Sequence, residues 1–587
     1  MKKRILTTLL LAALLLGLCA CSKQGDDTAQ GTPKANQPVA FCLGAQPESL
    51  DPAQYAVGDD ATYLVNLYAG LVSYRTGDNG VVRLAADLCQ TLPEQTANEE
   101  GKPTYVFQLR DGLKWSDGSA LTAADLVYSW NRAFADGETP ERDLFSCIDG
   151  FDDGALNIAA SEDGKTFTVV LSKPTPRFLQ RLANPVFYPV NEAASQHVGW
   201  DLDPKHSVTS GAYQLAEWSE EGMTLAKNDA YWDAAATTLD ELPFRFCDNA
   251  AVILEDYQSG AVRVAAGLPA GTVEELRETE GDALHITGRM GNYALCFNMN
   301  DPALEDFSEP ERADIRTALS LLIDRSAICE DIAKQGQRPA SAIVPEGMTD
   351  ADGTSFSAHN GADGQGSGYF SVDPADYDKN CEQAVELLRS VAKSSGAFKV
   401  SKDGVCKGFP ELTFLTSDSS GHVEIANAIG ESFEAYGISL KISALDQADF
   451  LEARAKGDFS LARFSWTAAY DDPASFLSLW TAGAGSNCIG IGQEAHGSYT
   501  GFTATIGGAA ADNLTWAESY DALLFTASAS TDEPQRCAAM HEAETLLMQT
   551  GAVCPIYEYT GVYLCRPSVE GLYAGPSGAL YFMRTTV

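Results

Sequence analysis

The chain has 587 residues, with 40 Lys and Arg against 81 Asp and Glu, a formal charge of −41 at pH 7. Hydrophobic residues make up 45% and aromatics 9%, enough for a large core over several units, so wholesale disorder is excluded. The shortage of Lys and Arg argues against gripping nucleic-acid phosphates, which needs clustered cations, and against lying flat on an anionic bilayer.

The N-terminus reads as an address. Lys2, Lys3 and Arg4 precede a largely apolar run over 5–18, too short to span a bilayer comfortably and suited to a secretory signal. The string Leu18-Cys19-Ala20-Cys21-Ser22 resembles the lipobox of bacterial lipoproteins. The resemblance implies a signal peptide over 1–20, cleavage before Cys21 and lipid on that cysteine. Residues 23–38 are polar, rich in Gly, Asp, Gln and Pro, and without periodicity, so 21–38 reads as a flexible tether. Of fourteen cysteines, twelve lie beyond this leader and none of them forms a C-x-x-C pair. Outside the cell an even set permits disulfides; small buried thiols are the other reading, and both stay open.

From residue 39 the chain alternates strand-like and helix-like stretches. Tyr105 to Leu109 alternates as a strand, and Asp111-Gly112 and Asp117-Gly118 are turn signals. Thr122 and Asp125 form a capping box with Asp at the usual Glu position, and Leu126, Val127, Trp130 and Phe134 follow at helical spacing. Residues 311–334 predict one or two helices with Ile315, Leu319, Leu322 and Ile323 on one face. Helices are expected over 381–392 and 425–436, strands over 437–442 and 459–466, a late helix pair over 516–530 and 534–548, and a strand over 553–564. Stretches 345–371 and 481–512, rich in Gly with Asp, Ser or Ala, read as long loops. The mixture predicts an α/β or α+β protein with several sheets.

No catalytic signature is present. His541-Glu542 lacks a second histidine one turn on, and neither a phosphate loop nor a G-x-S-x-G elbow occurs. The seven histidines show no metal spacing, and Asp350-Ala351-Asp352-Gly353 fails as a calcium loop because Met348 would fill its first position. No catalytic residue, metal or cofactor is expected; the residues favour a binding protein.

Several segments together are similar to one family. They are Pro47-Glu-Ser-Leu50-Asp51-Pro52, Leu67 to Val72, and above all Tyr105-Val-Phe-Gln-Leu-Arg110-Asp-Gly-Leu-Lys114-Trp115-Ser-Asp117-Gly118 running on to Arg132. Ser210-Gly211-Ala-Tyr213, Asn228 to Trp232, Arg316 to Leu319 with Asp324-Arg325, Ser465-Trp466 with Asp472-Pro473, and Cys554 to Tyr557 extend the match to the C-terminus. The chain resembles the oligopeptide- and dipeptide-binding lipoproteins of ABC importers, the family 5 extracellular solute-binding proteins. The resemblance implies an α/β, two-lobed periplasmic-binding-protein fold, class II type with an extra subdomain, and a ligand cleft between the lobes. Lobe I would be discontinuous (39–71, 199–290 and 553–587), the extra subdomain would span 72–198, and lobe II 291–552. It also implies a monomeric receptor without enzymatic activity. Anchored by its N-terminal lipid on the outer face of the bacterial cell membrane, it would deliver peptide or peptide-like ligand to permease subunits.

The resemblance also carries site residues. Ser465, Trp466 and Thr467 fall where backbone groups pair with the ligand main chain. Arg463 falls where some relatives hold the ligand's C-terminal carboxylate, and His422 lies near a second carboxylate-facing position. Tyr559 would line the cleft. The position that carries an amine-pairing aspartate in peptide binders is Ala469, with Asp471 two residues on. Either Asp471 takes over, or the amine is held elsewhere, or the ligand is not a free-amine peptide: a metal chelate, haem, a sugar or a blocked peptide. A sensing receptor with the same fold is a further reading.

Overall fold

The computed structural model describes residues 40–58, 61–77, 80–361, 364–490, 500–506 and 509–587. The signal segment, Cys21 and the tether lie outside them. Among the described residues no helix is long and apolar enough to cross a membrane.

One 11-stranded sheet runs through the molecule. Its order is Leu440–Leu445, Leu412–Ser417, Leu461–Thr467, Leu284–Phe297, Val553–Cys565, Val262–Ala266, Ala40–Cys42, Glu241–Arg245, Gly222–Lys227 and Tyr213–Trp218, with Arg338–Pro339 also on Val553–Cys565. Leu412–Ser417 pairs in parallel with both its neighbours, and so does Ala40–Cys42 on the far side. Between these two parallel regions lie two long antiparallel strands, Leu284–Phe297 and Val553–Cys565. Their Leu284–Gly288 and Thr560–Leu564 ends pair with each other beside Val262–Ala266, whereas Asn292–Cys296 and Val553–Glu558 pair with each other beside Leu461–Thr467. The register shifts between Gly288 and Asn292. An irregular register bends and twists a strand locally, so the sheet changes direction there.

Alternation along the strands builds a core on each face beyond that bend. Tyr293, Leu295, Leu461, Phe414 and Ile556 point to one side, under helices Glu309–Leu321, Tyr377–Ser395 and Ser420–Ala435. Ala294, Cys296, Ala462, Phe464 and Val553 point to the other, under Trp516–Ala529 and Glu533–Gln549. Short apolar strands clothed on both faces read as continuous hydrophobic runs, which is how they appear in the sequence. A smaller cluster of Cys42, Ile253, Tyr257, Val262 and Leu564 fills the other half.

Residues 96–170 form a separate four-stranded antiparallel sheet covered by helix Ala123–Ala135. The expected capping box is complete, with the Thr122 N–H donating to the Asp125 carboxylate at 2.7 Å. Trp130 is fully buried, edge-on to Phe167 at 4.9 Å and Phe187 at 5.0 Å, and its indole N–H donates to the Phe187 carbonyl. The predicted strands and helices appear with ends shifted by a few residues. One expectation is corrected: 481–512 is not wholly a loop, because Thr500–Ile506 and Ala509–Thr515 form a two-stranded hairpin. Thr503 and Thr505 alternate with Phe502, Ala504 and Ile506, and that β-prone stretch was hidden by the surrounding Gly and Ala.

Candidate functional site

Arg463, Ser465 and Thr467 lie on one face of Leu461–Thr467, immediately beyond the bend in the sheet. Antiparallel register sets Tyr293 opposite Ser465 and Gly291 opposite Thr467, and places Tyr557 beside Tyr293 on the other flank. Five of the expected residues therefore meet on one face: Arg463, Ser465, Thr467, Tyr559 and His422.

Arg463 is the chemical centre of this face. It is 8% exposed, and its guanidinium lies 4.9 Å from the Phe450 ring centroid and 3.5 Å from the Ser465 hydroxyl. Its Nε is buried without a hydrogen-bond partner, and among the described residues no carboxylate pairs with it. An unpaired buried cation is costly unless something supplies the missing charge. Around it stand aromatic groups that carry hydroxyls but no negative charge. Tyr293 stacks on Tyr557 at 5.0 Å, lies 5.6 Å from His422, and has a buried hydroxyl without a partner. Burial pushes the Tyr293 phenol up, so it stays neutral despite the nearby Arg463. Burial raises the pKa of the Tyr559 phenol against the opposing influence of nearby Ser465 and Arg463, so it too is neutral. Burial first, and Arg463 second, pull His422 down to about 4, so the ring is neutral near pH 7. The result is a fixed cation flanked by uncharged donors and acceptors, a combination that suits a carboxylate.

Gly291 keeps this face open. A Cβ there would come within 2.7 Å of the Tyr559 ring and 2.9 Å of the Thr467 hydroxyl. Trp466, on the opposite face, is 37% exposed and lies across from Asn292.

The two residues beyond the strand sit elsewhere. The Ala469 carbonyl accepts from Asn184 at 3.2 Å, beside a void of about 30 Å³ lined by Tyr55, Tyr74, Tyr470, Ser577 and Tyr581. Asp471 is buried, 3.4 Å from Arg177, and accepts from both the backbone and the hydroxyl of Thr349. Burial raises its pKa and Arg177 opposes that rise. The neighbouring Asp472 pairs with buried Arg536. Asp471 is thus already occupied as an anchor between the 72–198 segment and the long 345–371 loop.

Sequence reasoning missed Tyr293, which lies outside every expected element, and Tyr557, which reads as part of the expected strand over 553–564. It also missed a cavity of about 340 Å³ between helix Val273–Thr279 and the Ile328–Ala333 turn, lined by Arg277, Cys329, Glu330, Lys334 and Arg338. Ile328–Ala333 is a π-helix followed by Lys334 at φ 54, a combination that breaks the regular helix path. That breakdown is the one sequence-level signal, seen as uncertainty over one helix or two in 311–334.

Comparison with known proteins accords with this geometry. The chain is 26% identical to the oligopeptide-binding protein OppA of Bacillus subtilis over 607 residues, covering 99% of both chains. It is 26% identical to the dipeptide-binding protein DppE of the same organism, covering 83% of this chain and 82% of the other. Among solved structures, the unliganded open form of the murein tripeptide-binding protein MppA matches at TM-score 0.72 and 23% identity, covering 94% of this chain and 97% of that one. The Haemophilus influenzae OppA complex matches at 0.61 and 21%, covering 94% and 99%. The fold is therefore the two-lobed α/β fold of periplasmic binding proteins. The pattern described as bacterial extracellular solute-binding proteins, family 5 (middle), matches residues 90–488, about two thirds of the chain: this chain belongs to the family 5 extracellular solute-binding proteins of bacteria.

Proposed function

We propose that the protein is a receptor that captures peptides or peptide-like solutes between two closing lobes and delivers them to an ABC importer permease, without chemical turnover. The observation that carries this reading is Arg463, a buried guanidinium with no carboxylate partner among the described residues, set on the strand next to the bend. An extended ligand pairs its main chain with Ser465, Trp466 and Thr467 and places its carboxylate at Arg463 beside His422 and Tyr559. Lobe I comprises 39–71, 199–290 and the C-terminal segment from about Tyr559, the extra subdomain 72–198, and lobe II 291–552 together with 553–558. We take the last crossing near Tyr559, because Val553–Glu558 pair with the lobe II end of the partner strand. The lobes swing about the two long strands, and ligand favours the closed state by contacting both sides. Cys21 carries the lipid that holds a monomeric receptor on the outer face of the cell membrane.

A second reading keeps the fold and changes the ligand. Ala469 offers no charge to an ammonium, and Asp471 is engaged by Arg177 and Thr349. A blocked peptide or a non-peptide anion would satisfy Arg463 equally well, in a transporter or in a sensing receptor. Titration calorimetry with matched tripeptides that are free, N-acetylated or C-amidated separates these readings. Binding that is lost on amidation supports the carboxylate role of Arg463, and retention only of acetylated forms selects the second reading. Failure of all three removes the peptide assignment.

A further inference from the structure

All twelve cysteines among the described residues are free, and ten of them are buried. One pair stands apart. The Cys296 sulfur lies 3.4 Å from that of Cys488, although the two are 192 residues apart in the chain. Cys296 sits on the long strand Leu284–Phe297, fully buried, with its thiol also 3.5 Å from the Ala462 carbonyl of the ligand strand. Cys488 is partly exposed, in the turn that leads out of lobe II's core. The two stretches are fastened side by side. The Met299 N–H donates to the Ile489 carbonyl at 2.9 Å, and Gly490, at φ 74, lies where a Cβ would meet the Asn300 side chain at 2.5 Å. Bringing the two sulfurs from 3.4 Å to the roughly 2.05 Å of a bonded pair closes a gap of little more than 1 Å.

We propose that Cys296 and Cys488 are a redox-modification site, a dithiol that converts reversibly to a disulfide and staples the 481–490 turn to the strand behind the ligand face. The chemistry has a built-in order. Cys488 is the more accessible thiol and meets the oxidant first; its contact with Cys296 lowers its pKa, with Arg454 adding to that against the opposing effect of burial, while the same contact and burial raise that of Cys296. The Cys488 thiolate attacks the disulfide of a small-molecule or protein thiol oxidant, and one oxidant thiolate leaves. Cys296 then loses its proton and attacks the Cys488 sulfur, expelling the oxidant's second thiolate. Two electrons pass from the protein dithiol to the oxidant disulfide, and two protons are released to the oxidant thiolates. Family 5 proteins work outside the cytoplasm, where such oxidants operate. The closed loop is long, so the bond restricts the unfolded chain strongly and raises resistance to heat.

The test uses the soluble chain starting at Ser22, purified reduced, treated with oxidised glutathione, alkylated and digested without reductant. The expected result is a Cys296–Cys488 linked peptide as the main product, abolished by reductant, with a thermal midpoint that rises on oxidation and falls back on reduction. Cys488→Ser should remove both the linked peptide and the oxidant dependence of the midpoint. Alkylation of both residues after oxidation, a stable glutathione adduct on Cys488, or linkage of either cysteine to a different one would overturn the proposal. Because the mapping is made on the unaltered chain, it decides the matter even if a variant fails to fold.

Discussion

At the scale of residues, the account rests on charge without a partner. Arg463 is held by Phe450 and Ser465 and has no acidic partner among the described residues, so an anionic ligand group gains a charge-assisted hydrogen bond that water no longer competes for. Arg463→Ala should therefore weaken peptides with a free C-terminal carboxylate by about 10- to 100-fold, following the 1.5–3 kcal/mol typical of hydrogen bonds to charged groups. C-amidated peptides should change little, as calorimetry on both series would record. His422 supplies a pH signature. Its folded value near 4 lies below the ordinary histidine value near 6.5, so the unfolded chain binds the extra proton first. Stability is fully present above about pH 6.5 and is lost as pH falls towards 4. Urea midpoints measured across that window should drop less steeply in His422→Asn than in the unaltered chain; equal slopes would contradict the assignment. Arg463, Ser465, Thr467, Tyr559 and His422 were legible only through the resemblance to the family, and the structure brings them to one face. Tyr293 and Tyr557 were not, since an aromatic residue in a strand looks the same whether it faces a core or a cleft. The engagement of Asp471 by Arg177, 294 residues away, is equally invisible to local reading.

At the scale of elements, local signals were strong wherever caps and periodicity agree. The Thr122–Asp125 and Ser308–Glu311 capping boxes both form, and they start the helices that clothe the two sheets. The sequence could not tell which strand lies beside which, since pairing joins Leu284–Phe297 to strands more than 150 residues later. Long-range order also sets unusual chemistry in helix Glu533–Gln549. Glu544 is fully buried, accepts from the Val344 N–H at 2.9 Å and from Tyr369, and is raised by burial to about 7. The native state therefore holds a proton that the unfolded chain has already lost above about pH 4.3, and stability declines as pH rises towards 7. Glu544→Gln keeps the acceptor for Val344 and removes the charge. It should stabilise the protein at pH 8 and flatten the decline, readable from thermal midpoints at pH 6 and pH 8. On the other face of the sheet, Phe414 is fully buried, and Phe414→Ala should cost about 3–5 kcal/mol in chemical denaturation.

At the scale of the whole molecule, two long strands with a register shift join two regions of one sheet, and that geometry suits rotation of one lobe against the other. Saturating ligand should reduce the radius of gyration in small-angle scattering, and the reduction should disappear in Arg463→Ala at the same ligand concentration. If Cys21 is the lipidation site proposed above, palmitate labelling of the full chain should be lost in Cys21→Ala, and labelling that persists in the variant would contradict the proposal. On the proposed reading the cleft takes an extended, carboxylate-bearing peptide or a close mimic. Native mass spectrometry tests it most directly, on the chain from Ser22 as purified from cells and then exposed to a mixed peptide library. The account predicts one ligand per chain, drawn from species with a free carboxylate and lost on amidation of the library. A chain that stays empty, or that retains only ligands without a carboxylate, would contradict it.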